Sequence, residues 1–124
     1  MGEPVNRVLL IYETYRVALT RAALLQSRGY SAHLADSREE AKRLLNDFNF
    51  GLVIVDSERN HQHALDLCEE LKRDSPGINV AIVAWYNTPV RSTCPDEVIH
   101  REDGPQGIVA AVQAILPPPA STAP

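Results

Sequence analysis

No apolar run in this sequence approaches the ~18 or more residues that a membrane-spanning helix needs. Positive charge is in deficit, with 12 Lys and Arg against 16 Asp and Glu and a net charge of −4. That leaves no basic field for nucleic acid and no polybasic stretch for a membrane surface. Cysteine is scarce too: Cys68 and Cys94 show no metal-type spacing. They read as buried or idle thiols of a reducing compartment. The first residues, MGEPVNRV, lack a charged segment followed by an apolar one, so no signal peptide is expected. Asn6 stands where a myristoylation motif wants Ser or Thr. A cytoplasmic protein is the expectation.

What is present is a chain of 124 residues, 44% hydrophobic, sized for one domain with one core. Its apolar pattern changes period repeatedly. Val8 to Ile11 is a short continuous apolar run. From Tyr15 to Arg28, Ala18, Ala22 and Leu25 fall at i, i+4, i+7, and Gly29 is placed as a helix stop. Tyr30 to Ala35 reads as a strand. Ser37 with Glu40 makes a capping box before the stripe Ala41, Leu44, Leu45, Phe48. Leu52-Val53-Ile54-Val55 has no polar alternation, as expected of a strand buried on both faces, and it ends on Asp56. A third helical stripe is Ala64, Leu67, Cys68, Leu71. Val80 to Ala84 and Val98-Ile99 are further strands, and Gly104-Pro105 opens a last helix with Ile108, Ala111, Val112 and Ile115. Residues 1–116 form the expected domain, and 117–124, PPPASTAP, a disordered Pro-rich tail.

Strands alternating with helices predict an α/β domain with a doubly wound, parallel, five-stranded sheet of the flavodoxin-like type, order 2-1-3-4-5. Between Trp85 and Glu97 the residues YNTPVRSTCPD carry two prolines and no helical period. The helix due there is therefore expected to be missing or shortened. In such a sheet, side chains beyond the carboxyl ends of the strands meet at one crevice. Counting along the chain assigns Tyr12, Glu13, Asp56, Ala84, Trp85 and His100 to it. Asp56 could equally be the first polar residue of a loop. Glu13 at the same crevice favours a site, because like charges there repel unless a cation or partner is present. Trp85 reads as core; with the helix gone, Trp85 and Tyr86 could instead be exposed and anchor a partner. His61 and His63, at i, i+2, share no helix face and read as a solvated loop or helix start.

Four stretches, RVLLIYE, GLVIVDSERN, NVAIVAW and EVIHRED, together resemble the receiver domain of two-component response regulators. The resemblance runs from Arg7 to Leu116, and it implies the CheY-like fold and a signalling role without enzymatic activity. It implies that Asp56 is the phosphoacceptor of a histidine kinase. Mg²⁺, bound weakly, would be held by Glu13, Asp56 and the backbone carbonyl of Glu58. The departures are as specific. Ala84 stands where the family has a hydroxyl residue, His100 where it has a lysine, Arg101 where a proline follows that lysine, and Glu97 where it has an aromatic switch residue.

The favoured reading is therefore an atypical receiver, its phosphorylation switch impaired, acting through protein–protein contact with a histidine kinase or another signalling protein, or as a homodimer. Direct contact with nucleic acid or membrane is not expected. The first alternative is a functional Asp56 phosphoacceptor with His100 in place of the lysine. The second is a metal- or small-molecule-binding protein using Glu13, Asp56 and His100. The stretch ETYRVALTR argues against it, since a phosphate-binding loop after the first strand would be Gly-rich.

Overall fold

The structure, a computed structural model, describes residues 6–57, 61–87 and 90–117. Five parallel strands, β1 (Arg7–Ile11), β2 (Ser31–Ala35), β3 (Leu52–Asp56), β4 (Val80–Ala84) and β5 (Glu97–His100), form one sheet in the order β2-β1-β3-β4-β5. Four helices alternate with them: α1 (Tyr15–Ser27), α2 (Arg38–Asp47), α3 (His61–Asp74) and α4 (Gly104–Ile115). None is long and apolar enough to cross a membrane.

The helix ends follow local chemistry. The Ser37 hydroxyl accepts a hydrogen bond from the Glu40 backbone N–H at 3.1 Å, so the predicted cap forms at the start of α2. Gly29, at φ 91°, turns the chain out of α1 as only glycine does without strain. Pro105 sits in the first turn of α4, where its missing N–H costs nothing.

Because side chains alternate across a strand, the sheet feeds two cores, one on each face. Leu9, Ile11, Val53, Val55 and Ile82 pack under α2 and α3. Val8, Leu10, Leu52, Ile54, Val83 and Ile99 pack under α1 and α4. That parity governs the site described below. The second core is closed just after α4, where Leu116 is buried and its carbonyl accepts from the Tyr30 hydroxyl at 2.8 Å.

The described residues between β4 and β5 contain no helix, as expected. Val90 and Cys94 lie against the α2–α3 core instead, replacing an amphipathic face with two side chains. Polar bonds fix the segment's end. The Asp96 backbone N–H donates to the Val80 carbonyl at 2.8 Å. Its carboxylate accepts from the Val80 N–H at 2.8 Å and from Lys72 at 2.7 Å. Cys68 and Cys94 are free thiols, Cys68 buried and Cys94 half-buried, as expected. The sequence did not show that their sulfurs lie 3.0 Å apart. Sequence spacing concealed the pair because α3 and the helix-free segment meet only in three dimensions.

Candidate functional site

Asp56 closes β3 and shares the parity of Leu52 and Ile54, so it projects to the α1–α4 side. At 6% exposure it is the one buried charged residue among the described residues. Two arginines hold it. Arg21 of α1 donates from Nη1 to Oδ2 at 2.6 Å. Arg101, directly after β5, donates from Nη1 to Oδ2 at 3.1 Å and from Nη2 to Oδ1, a fork-shaped pairing with both carboxylate oxygens. Arg21 and Arg101 are themselves only 13% and 12% exposed. Burying a carboxylate requires such partners, since an unpaired buried charge costs far more than a hydrogen bond returns. The clamp ties α1, β3 and the end of β5 through one side chain.

Arg101 is shared with an aromatic surface. Its guanidinium lies over the Trp85 ring, 5.1 Å from the centroid, a cation–π contact. Trp85 and Tyr86 are 45% and 56% exposed, so the expected core Trp85 is instead a surface residue. The described residues of the β4–β5 segment form no helix that would cover the end of β4. Tyr86 is held by the 3-10 turn Arg101–Asp103. Its N–H donates to both Glu102 carboxylate oxygens at 3.0 Å, and its hydroxyl donates to Asp103 at 2.6 Å. That bond to Asp103, then burial and nearby Glu102, push the Tyr86 hydroxyl pKa up.

His100 does not join Asp56. Its ring stacks on Tyr86, with centroids 4.1 Å apart and an interplanar angle of 15°. It is one residue out of phase with Ile99, so it leaves the sheet on the opposite side from Asp56. The cation at the end of β5 is therefore Arg101, which the sequence reading had put in the place of a proline. The Glu13–Asp56–His100 metal set is not assembled, and no group of three His, Cys, Asp or Glu side chains that could hold a metal occurs among the described residues. Glu13 does border the same cleft as Asp56, a hollow of about 220 Å³ also lined by Tyr12, Asp36 and His63. Burial, then the nearby Asp36 and Tyr15, raise the Tyr12 hydroxyl pKa. Ala84 is buried opposite His100, and Glu97 is half-buried at the start of β5 opposite Ala81. The backbone carbonyl of Glu58 lies outside the described residues. His61 begins α3, and His63 follows within its first turn.

As a seat for a divalent cation, this donor set is already matched to cations the protein carries. Both Asp56 oxygens face guanidinium groups, whose charge opposes Mg²⁺ approaching the same carboxylate. Arg21 was missed by the sequence reading, yet it had a signal. It occupies i+3 in the buried stripe Ala18, Ala22, Leu25, and a charged residue there needs a buried partner.

No protein-family model matches the chain. The adventurous-gliding motility protein Z of Myxococcus xanthus is 30% identical over 78 residues, 63% of this chain but only 6% of that protein's length. The structure of the response regulator TrrA from Thermotoga maritima, solved with Mg²⁺-BeF, is 21% identical and matches with a TM-score of 0.76, covering 89% of this chain and 98% of that one. An atypical orphan response regulator, described with a phosphorylation-independent regulatory mechanism, matches with a TM-score of 0.73 at 23% identity, covering 89% of this chain and 94% of that one. This chain has the CheY-like fold of response-regulator receiver domains.

Proposed function

We propose that residues 1–116 are an atypical receiver-like signalling domain that works through protein–protein contact, with Asp56 used as the centre of an internal ion cluster. The observation that carries this reading is the Arg21–Asp56–Arg101 clamp. A phosphoacceptor carboxylate attacks phosphorus with an oxygen lone pair, and charge-assisted hydrogen bonds to both oxygens stabilise the ground state from which it must attack. Mg²⁺ binding through Glu13 and Asp56 would be weak, because it competes with Arg21 and Arg101 for the same carboxylate. Ala84 offers no hydroxyl and Glu97 no aromatic ring to relay a modification. Phosphorylation-independent regulation in the atypical orphan neighbour supports the same reading. A histidine kinase or another signalling protein is the class of partner, with a second copy of the chain as the self-associating version.

The runner-up is a working phosphoacceptor in which Arg101, and not His100, supplies the cation. The fork-shaped contact of Arg101 with Asp56 favours it over a silent site, since the same guanidinium would donate to a phosphoryl oxygen. Incubation of the full chain with a small acyl phosphate and Mg²⁺ separates the two by intact mass. The proposal expects no phosphate on wild type, with slow labelling appearing in Arg21→Ala, which frees one side of the carboxylate. Rapid labelling of wild type that disappears in Asp56→Asn would establish the runner-up.

A further inference from the structure

Cys68 lies on the buried side of α3, fully enclosed, while Cys94 lies half-buried in the segment that replaces the missing helix. Their sulfurs are 3.0 Å apart, so about 1 Å of further approach reaches a disulfide bond length. The approach is held from both sides. Lys72, one turn beyond Cys68 on α3, pairs with Asp96, two residues beyond Cys94, at 2.7 Å. The Cys94 N–H donates to the Ser92 hydroxyl at 3.1 Å, and Asp96 anchors to β4. An ion pair and a thiol pair therefore run side by side between the same two segments, which fixes their register.

We propose that Cys68 and Cys94 are a redox-modification site, closed to an intramolecular disulfide by a small-molecule disulfide such as oxidised glutathione. The more exposed Cys94 thiolate attacks one sulfur of the reagent, forming a mixed disulfide and expelling one thiolate. The Cys68 thiolate then attacks the Cys94 sulfur and expels the second. Two electrons pass to the reagent, and the two protons lost by the cysteines end on the two released thiols. Burial, then the bond to Cys94, raise the Cys68 pKa, which makes the second step the slower one. Closure staples α3 to the β4–β5 segment, at the point where receiver-type packing by a helix has been given up.

The test treats the full reduced chain with mixtures of oxidised and reduced glutathione, caps free thiols with an alkylating reagent, and reads intact mass and a non-reducing peptide map. The expected product is a monomer that takes up no reagent, with the Cys68 and Cys94 peptides joined and a melting temperature above that of the reduced chain. Cys68→Ser should stop at a glutathione adduct on Cys94. Because a substitution at a buried site can impair folding, Cys94→Ser, at the half-buried position, serves as the second variant and should form no linked species. A wild-type chain that keeps two alkylatable thiols, accumulates only the Cys94 adduct, or links only between chains would overturn the proposal.

Discussion

Two regions of this sheet carry the same kinds of side chain and do different things with them. Around the starts of β1 and β3, Arg7 lies over Phe48 and Phe50, 5.2 and 6.0 Å from their centroids, and His33 lies 5.2 and 5.3 Å from the same rings. At the carboxyl end, Arg101 lies over Trp85 and His100 stacks on Tyr86. Each has an arginine, a histidine and two aromatics. The difference is an acid. Arg7 donates to a neutral carbonyl, that of Asn49, at 2.8 Å, whereas Arg101 is locked to the buried Asp56. One buried carboxylate turns a packing cluster into a charge-organised site and commits α1, β3 and β5 to a single arrangement.

The comparison breaks most visibly at the acid. Asp56→Ala leaves two largely buried guanidinium groups facing each other, with an expected loss of about 3–5 kcal/mol in urea unfolding. Arg7→Ala, which removes only a neutral hydrogen bond and ring contacts, should lose about 1–2 kcal/mol. Equal losses would mean that the clamp is no more than packing. A second contrast is in pH. Burial, then Arg7, lower the His33 pKa, so the unfolded chain binds more protons there as pH falls. Stability should decline as pH drops below about 6.5, the unperturbed histidine value. His33→Gln should flatten that limb of a thermal-melt series; an unchanged slope would place the proton uptake elsewhere. The smallest effect is expected at Trp85→Ala, about 0.5–1 kcal/mol, because an exposed cation–π contact is weak and Arg101 keeps Asp56.

Most of the fold was legible because period and punctuation agreed. The apolar runs at Val8, Leu52 and Val80, the Ser37–Glu40 cap, the stop at Gly29 and the helix start at Gly104-Pro105 all point to one topology, and YNTPVRSTCPD signalled the lack of helix seen among the described residues of that stretch. The site was legible only by address. Asp56 was found at the end of its strand, but its partners were not, because strand parity sends His100 away from it and sends Arg101 toward it. A one-residue slip in reading β5 exchanges the two. Arg21 had a signal in the α1 stripe, and the Cys68–Cys94 pair had none, since its partners come from elements that share no sequence pattern.

The clamp also has a consequence for information. A modification is a message only if the molecule's two forms differ in how well a partner binds them. With two guanidinium groups already drawn onto Asp56, the cationic side of the site is gathered before any phosphoryl group arrives. On the reading proposed above, the pull that a phosphoryl group would exert on those cations is already exerted by the carboxylate, and a ligand that meets two equivalent forms shifts no population. On that proposed reading, the clamp is a constant of the domain rather than its variable.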